Sequence, residues 1–295
     1  MVDQEELHRF GTRQGFVAAL DQSGGSTPKA LRLYGIEDTE YSSEEEMFSL
    51  IHHTRTRIVT SPPFNGDRIL AAILFEETLN GEVSGKGFAQ YLREDKDVIP
   101  LLKIDKGLED EQHGVQLMRE IPGLDDLLKR AKDVGVFGTK ERSVIHAANA
   151  EGIAAVVAQQ FELGQRVLDA GLVPILEPEV SIGTADKEQA ESVLKDEIFR
   201  HLEQLGEQKI AVKVTIPTVD NFYADLIEHP KVVRVVALSG GYARDDANER
   251  LRRNNGLIAS FSRALLAGLT AQQSDEEFNS TLDSTIESIY RASTT

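Results

Sequence analysis

The chain has 295 residues, of which 40% are hydrophobic and 27% charged, so it carries enough apolar side chains for a sizeable core. Its net charge of −17 repels phosphate backbones and anionic lipid, so we expect neither a nucleic-acid nor a membrane partner. The absence of cysteine excludes disulfides, thiolate metal sites and thiol nucleophiles.

Short apolar runs recur along the whole chain and are bounded by turn residues, which is the pattern of buried parallel strands. They lie at residues 16–21, 69–76, 98–105, 134–142, 172–180, 209–216, 232–240 and 257–261. Each interval between them is long enough to hold a helix. Eight such units predict an α/β fold, a single-domain TIM (β/α)8 barrel over residues 1–295 with a C-terminal helix and a short tail. A doubly wound sheet is compatible with the same spacing.

Capping signals and apolar periodicity mark several of the helices. Ser42 and Glu45 have the spacing of a capping box, and the helix that follows has an apolar face of Met47, Leu50, Ile51, Thr54 and Ile58. Further helices are predicted over residues 149–170, 185–205, 245–253 and 274–290.

Polar side chains end nearly every predicted strand, where the catalytic residues of a barrel lie. Three pairs are spaced two residues apart, which places both members on one face of a strand. The pairs are Lys103 and Asp105, Lys140 and Arg142, and Glu177 and Glu179, and single polar residues at other strand ends are Asp21, Glu76, Lys213, Ser239 and Arg263. This arrangement predicts a polar pocket at one end of the barrel.

Lys213 is the only charged residue in the segment from Ile210 to Ile216. Burial lowers the pKa of a lysine, and a neutral amine can form a Schiff base with a carbonyl compound. The local sequence is equally compatible with a lysine that reaches solvent or pairs with a buried carboxylate.

Two glycine- and serine-rich turns have the composition of phosphate-binding loops. One is Ser239-Gly240-Gly241, close to Arg263 in the next unit, and the other follows Asp21. In a closed barrel the first and eighth strands are neighbours, so a substrate with a phosphate at each end is predicted. The histidines show no metal-ligand spacing, and we expect neither a metal nor a cofactor.

The segments ALDQSGGSTPKAL, LLKIDKG, GTKERS, VPILEPEV, AVKVTIP, LSGGYAR and SFSRAL occur in this order between about residues 15 and 266. Together they resemble class I fructose-1,6-bisphosphate aldolase, most closely its short bacterial form. The resemblance implies a TIM barrel and a metal-independent lyase of glycolysis and gluconeogenesis. Such an enzyme reversibly cleaves fructose 1,6-bisphosphate to dihydroxyacetone phosphate and glyceraldehyde 3-phosphate through a lysine Schiff base.

The resemblance also implies a role for each matching residue. Lys213 would be the Schiff-base lysine, Glu179 the carboxylate beside it, and Glu177 the general acid/base for the carbinolamine. Lys140 would be the second lysine, which lowers the pKa of the nucleophile, and Asp21 the carboxylate that orients the substrate hydroxyls and takes part in C–C cleavage. The dihydroxyacetone-side phosphate would be held by Ser239, Gly240 and Arg263, and the other end of the substrate by Ser23, Ser26, Lys103 and Arg142.

Two features depart from the animal members of the family. Gln22 stands where those members carry a glutamate. The chain is also shorter than the animal enzymes, whose C-terminal tyrosine contributes to proton exchange at the substrate carbon. Here Tyr290 lies five residues before the end and is not assigned that role, so the group that exchanges the enamine proton is left open.

Other functions remain compatible with the sequence. A class I aldolase for another ketose bisphosphate, such as tagatose 1,6-bisphosphate, would use the same lysine, and a non-catalytic phosphosugar-binding barrel would keep the fold. The acidic start of the chain lacks the pattern of a signal peptide, and the longest apolar run is too short for a bilayer, so we expect a cytoplasmic protein, possibly a homo-oligomer.

Overall fold

In the computed structural model, which describes residues 2–23 and 27–295, eight parallel strands form a closed barrel. They are β1 (Phe16–Ala19), β2 (Ile69–Leu74), β3 (Ile99–Lys103), β4 (Gly138–Ile145), β5 (Val173–Val180), β6 (Ile210–Thr215), β7 (Val232–Leu238) and β8 (Ile258–Phe261). Each strand pairs with its neighbours in the sequence, and β1 pairs with β8 through Val17 and Ser260 to close the ring. The TIM barrel predicted from the spacing is therefore confirmed.

Helices surround the barrel and connect its strands. They are α1 (Gln4–Thr12), α2 (Thr27–Leu33), α3 (Glu44–Thr60), α4 (Glu76–Leu79), α5 (Phe88–Glu94), α6 (Leu124–Asp133), α7 (Ala150–Asp169), α8 (Lys187–Gln204), α9 (Ala224–Ile227), α10 (Arg244–Arg252), α11 (Arg263–Leu266) and α12 (Asp275–Ala292). Asn149 caps α7 and Ser274 caps α12 in a capping box with Glu277, as their sequences indicate.

The alternation of side chains along the strands places apolar and charged residues in successive layers inside the barrel. The lower layers are buried apolar residues, including Val17, Ala19, Leu101, Val173, Ile175 and Ala211. Two positions further along the same strands, the inward face carries charged residues: Asp21, Lys103, Glu177 and Lys213. Buried apolar side chains therefore lie directly beneath the charged layer. At the opposite end of the barrel, Phe10 of α1 packs against Phe137.

Helix α3 begins one residue later than the sequence predicts. Ser43, not Ser42, is its N-cap, because the Ser43 hydroxyl accepts a hydrogen bond from the Glu46 amide, while the Glu46 carboxylate accepts from Ser42. The predicted inner face is buried apart from the half-buried Leu50, and it also includes Arg55, which is only 2% exposed.

The C-terminal tail lies at the end of the barrel opposite the charged layer. The Tyr290 hydroxyl is 3.5 Å from Gln14, which precedes β1, and the carbonyl of Thr295 accepts from Gly256, which precedes β8. Both contacts are at the amino ends of strands. In this arrangement Tyr290 does not reach the predicted site.

Candidate active site

Lys213 lies in the middle of the barrel on β6 and is almost fully buried. Its side chain is 5% exposed, and its Nζ is 2.8 Å from Oε1 of Glu177 on β5. Val212 and Val214, on either side of it in the strand, point outward and are buried against the helices. Of the alternatives left open by the sequence, the structure therefore shows an ion-paired, enclosed lysine and not one that reaches solvent.

Glu177 joins two lysines through one carboxylate. While Oε1 contacts Lys213, Oε2 is 3.0 Å from Nζ of Lys140 on β4. Burial favours the neutral form of this carboxyl, but the two cations outweigh it and keep the pKa of Glu177 below its usual value. At neutral pH Glu177 is therefore an ionised carboxylate in direct contact with Nζ of Lys213.

Lys140 is the most connected cation of the site. Its Nζ lies 2.8 Å from Asp21, 3.0 Å from Glu177 and 3.6 Å from Asp105, and its side chain is 2% exposed. Burial alone would lower the pKa of Lys140, but the three carboxylates raise it well above the ordinary value. Conversely, Lys140 and Lys213 overcome burial to hold the pKa of Asp21 well below its usual range. Lys140 is thus a fixed positive charge that keeps these carboxylates ionised.

Asp105 extends the cluster to the third strand. Its Oδ1 is 2.7 Å from Nζ of Lys103, and its backbone carbonyl accepts a second hydrogen bond from the same ammonium. Burial lowers the pKa of Lys103, although the Asp105 carboxylate opposes that effect. The sequence analysis identifies Asp105 as a strand-end residue but does not include it among the predicted site residues. Its position two residues after Lys103 indicates its place in the site, because that spacing puts both side chains on the same face of the strand.

Glu179 occupies a different place from the one that the resemblance implies. The resemblance implies a place beside Lys213, but the Oε2 of Glu179 is 2.5 Å from Nε of Arg142, and Glu177 takes the position beside Lys213. The register of β5 and β6 accounts for this, because it pairs Ile175 with Ala211, and Glu177 and Lys213 follow two residues later on the two strands. Arg142 is aligned with Glu177 on β4, and its side chain reaches past that register partner to Glu179, towards the open end of the barrel.

The turn after β7 contains two consecutive glycines with positive φ angles. Gly240 and Gly241 have φ angles of 63° and 126°, values that side-chain-bearing residues rarely adopt. A Cβ at Gly240 would lie 2.5 Å from Ile182, and one at Gly241 would lie 3.7 Å from the guanidinium of Arg263. Ser239 is buried at the start of this turn. The structure thus brings Ser239, Gly240 and Arg263 together, next to Thr215 at the end of the Lys213 strand.

The loop after β1 is described only in part. Asp21 and the partly buried Ser23 belong to the described residues, whereas Ser26 lies outside them. Between them, Nε2 of Gln22 donates a 2.5 Å hydrogen bond to Oγ of Ser262, the residue before Arg263. This bond connects the loops after β1 and β8, which are neighbours in the closed ring.

Not every polar residue at a strand end belongs to the site. Glu76 turns to the surface, where it pairs with Lys106 and Arg130. Within residues 2–23 and 27–295, no group of three or more His, Asp or Glu side chains is arranged to hold a metal ion. No described helix combines the length and the apolar character needed to cross a membrane.

Comparison with known proteins places these residues in a well-populated family. The protein-family model for "Fructose-bisphosphate aldolase class-I" matches residues 11–221. A "Fructose-bisphosphate aldolase class 1" from Synechocystis is 58% identical over 99% of this chain and 98% of its own, and one from Clostridium acetobutylicum is 55% identical over the full length of both. A solved structure of Plasmodium falciparum fructose-bisphosphate aldolase, in complex with TRAP and a small-molecule inhibitor, covers 98% of this chain and 93% of its own. Its TM-score is 0.74 at 20% identity, so it supports the fold alone.

Proposed function

Because the chain belongs to the class I fructose-bisphosphate aldolase family, we propose that it cleaves fructose 1,6-bisphosphate through a Schiff base on Lys213. The observation that carries this assignment is the buried Lys213, 2.8 Å from Glu177, in a cluster that contains a second buried lysine. A barrel that only bound phosphosugars would have no need of an enclosed amine beside a proton acceptor.

The reaction begins with proton transfer from Lys213 to Glu177. The free amine then attacks the C2 carbonyl of the open-chain sugar, and Glu177 returns its proton to the hydroxyl that leaves as water, which produces an iminium ion. Lys140 stays charged throughout, because three carboxylates raise its pKa. Its charge also stabilises the ionised form of Glu177 that the first step needs.

Cleavage of the C3–C4 bond requires a base for the C4 hydroxyl. We assign this role to Asp21, whose carboxylate, like that of Glu177, contacts Nζ of Lys140. As the C4 hydroxyl loses its proton, the electrons of the C3–C4 bond move into the iminium, and glyceraldehyde 3-phosphate departs. The enamine that remains takes a proton at C3, and hydrolysis of the iminium releases dihydroxyacetone phosphate and restores Lys213.

Two groups of residues at the carboxyl ends of the strands are proposed to bind the two phosphates of the substrate. The turn of Ser239 and Gly240, with Arg263 beside it, is proposed to hold the dihydroxyacetone-side phosphate, since backbone amides and a guanidinium together bind a phosphate well. Lys103 and Arg142 are proposed for the other phosphate, with Ser23 and Ser26 in the loop after β1. Cytoplasmic location and homo-oligomer formation stay predictions from the sequence.

Trapping with borohydride tests the proposal directly. The protein is incubated with dihydroxyacetone phosphate, the iminium is reduced to a stable secondary amine, and the modified peptide is mapped by mass spectrometry. Lys213 should carry the label, and Lys213→Met should abolish both the label and the cleavage of fructose 1,6-bisphosphate.

Lys231→Met is a matched control for that variant. Lys231 is a partly buried lysine just before β7, at the other end of the barrel, where it donates to the carbonyls of Leu202 and Leu205. Its loss should leave labelling at Lys213 unchanged. Labelling at Lys140 or Lys103 in the parent protein would show that the nucleophile has been assigned wrongly.

A further inference from the structure

Arg55 is a buried cation outside the cluster described above. It lies on α3, is 2% exposed, and is among the largest fully enclosed side chains of the described residues. No Asp or Glu among those residues lies within ion-pair distance of its guanidinium. A buried charge without an ionic partner is costly to maintain, so its hydrogen bonds deserve a functional explanation.

The guanidinium of Arg55 joins two loops at the catalytic end of the barrel. One Nη donates to Oγ1 of Thr78 on α4, directly after β2, and the other donates to the backbone carbonyl of Gln22, directly after β1. Thr78 is itself 1% exposed. Through its two Nη groups, Arg55 therefore connects the loop after β1 to Thr78, a buried residue of the neighbouring βα unit.

The carbonyl that Arg55 holds belongs to Gln22, the residue that follows Asp21. From the other side, the Gln22 side chain donates to Ser262, which precedes Arg263. Gln22 is thus fixed at its carbonyl by Arg55 and at its amide by the loop after β8. Asp21, one residue earlier, has its carboxylate 2.8 Å from Nζ of Lys140.

We infer that Arg55 is a positioning residue for the carbon–carbon cleavage step, which it serves by holding the Gln22 carbonyl and so fixing the Asp21 carboxylate against Lys140. This inference rests on the proposed function. Arg55 forms no hydrogen bond or ion pair with Lys213 or Glu177, so we expect Schiff-base formation with dihydroxyacetone phosphate not to depend on it. The two halves of the reaction therefore respond differently to its loss.

Arg55→Met removes both hydrogen bonds and keeps most of the apolar volume. We expect kcat for fructose 1,6-bisphosphate cleavage to fall by about 10- to 100-fold, since a displacement of about 1 Å in a catalytic group costs rates of this order. Borohydride labelling of Lys213 with dihydroxyacetone phosphate should stay within about threefold of the parent, because the labelled site is untouched.

Arg57→Met is the matched control on the same helix. Arg57 lies two residues away and donates to the carbonyl of Gln273 and to Asp275, on the outside of the barrel and away from the loop after β1. It also packs over Phe278. Its loss should lower the melting temperature while leaving both cleavage and labelling as in the parent.

Arg55→Lys keeps the test valid if Arg55→Met does not fold. Lysine preserves the charge, but its single Nζ cannot reproduce the two bonds that the guanidinium donates to Thr78 and Gln22. We expect a folded protein with kcat between those of the parent and Arg55→Met, and with normal labelling.

Two results would overturn the role of Arg55. The first is a folded Arg55 variant whose kcat and KM equal those of the parent. The second is a loss of cleavage and of labelling to the same extent, in proportion to the fall in melting temperature, which would show that Arg55 has a purely structural role. A parent protein that is neither labelled at Lys213 nor active would instead overturn the proposed function, and this role with it.

Discussion

Glu141 offers a quantitative test of the electrostatics behind the site. It lies on β4 between Lys140 and Arg142, but its side chain points away from the charged layer and is 0% exposed. Its Oε2 is 3.2 Å from the hydroxyl of Thr139, and its Oε1 has no hydrogen-bond partner. Burial raises the pKa of Glu141 to about 8, so the side chain is neutral at pH 7.

The raised pKa makes stability depend on pH with a definite sign. An unperturbed glutamate ionises near pH 4.5, so between pH 4.5 and about 8 the folded protein must hold a proton that the unfolded chain releases. The stability associated with neutral Glu141 is complete below pH 4.5 and is lost as the pH rises through this interval. From pH 4.5 to pH 7, at 1.36 kcal/mol per pH unit, the loss amounts to about 3 kcal/mol.

Glu141→Gln should recover that free energy. The amide has the shape of the protonated acid, keeps an acceptor for Thr139 and never ionises. We therefore expect it to raise the free energy of unfolding by about 3 kcal/mol at pH 7, by about 5 kcal/mol above pH 8, and by nearly nothing at pH 4.5. Urea unfolding of both proteins across this pH range measures the difference.

An exposed glutamate provides the control. Glu203→Gln on α8 changes the same functional group at the surface and should alter stability by less than about 0.5 kcal/mol at every pH. If the stability difference between Glu141→Gln and the parent does not vary with pH, Glu141 is not held neutral by burial, and the reasoning fails.

Three further changes should separate the parts of the site. Lys140→Met should lower the free energy of unfolding by about 3–5 kcal/mol at pH 7, because it leaves buried carboxylates without their cation. Urea unfolding should show a smaller loss as the pH falls and Asp21 and Glu177 take up protons, and an unchanged loss at pH 4 would contradict this cause. Arg263→Ala should weaken binding of dihydroxyacetone phosphate by about 2–3 kcal/mol in calorimetry, the value of a lost charged hydrogen bond, and unchanged affinity would place that phosphate elsewhere. Saturating EDTA should leave the cleavage rate unchanged, since the iminium serves as the electron sink, and a loss restored by zinc would refute the lysine mechanism.

The architecture and the chemical type of the site can be predicted from the amino-acid sequence alone. Eight apolar runs at helix-sized intervals predict the barrel, because an enclosed parallel strand must be apolar on both faces along most of its length. The charged residues that interrupt those runs at their carboxyl ends, above all Lys213 and Glu177, stand out for the same reason. A period of two then places Lys103 with Asp105 and Lys140 with Arg142 on one inward face.

The pairing of these charges, in contrast, depends on how the strands are arranged in the barrel. Glu177 and Glu179 have the same chemistry, but the register of β5 against β6 sets Glu177 beside Lys213, while Glu179, two residues nearer the open end, pairs with Arg142. In the sequence, nothing distinguishes Arg55 from other arginines in helices. Its proposed role follows from its hydrogen bonds to the loop after β1 and to α4, which only the folded chain brings together. Local sequence fixes the face and the level of a side chain, whereas pairing between strands far apart in the chain fixes its neighbour.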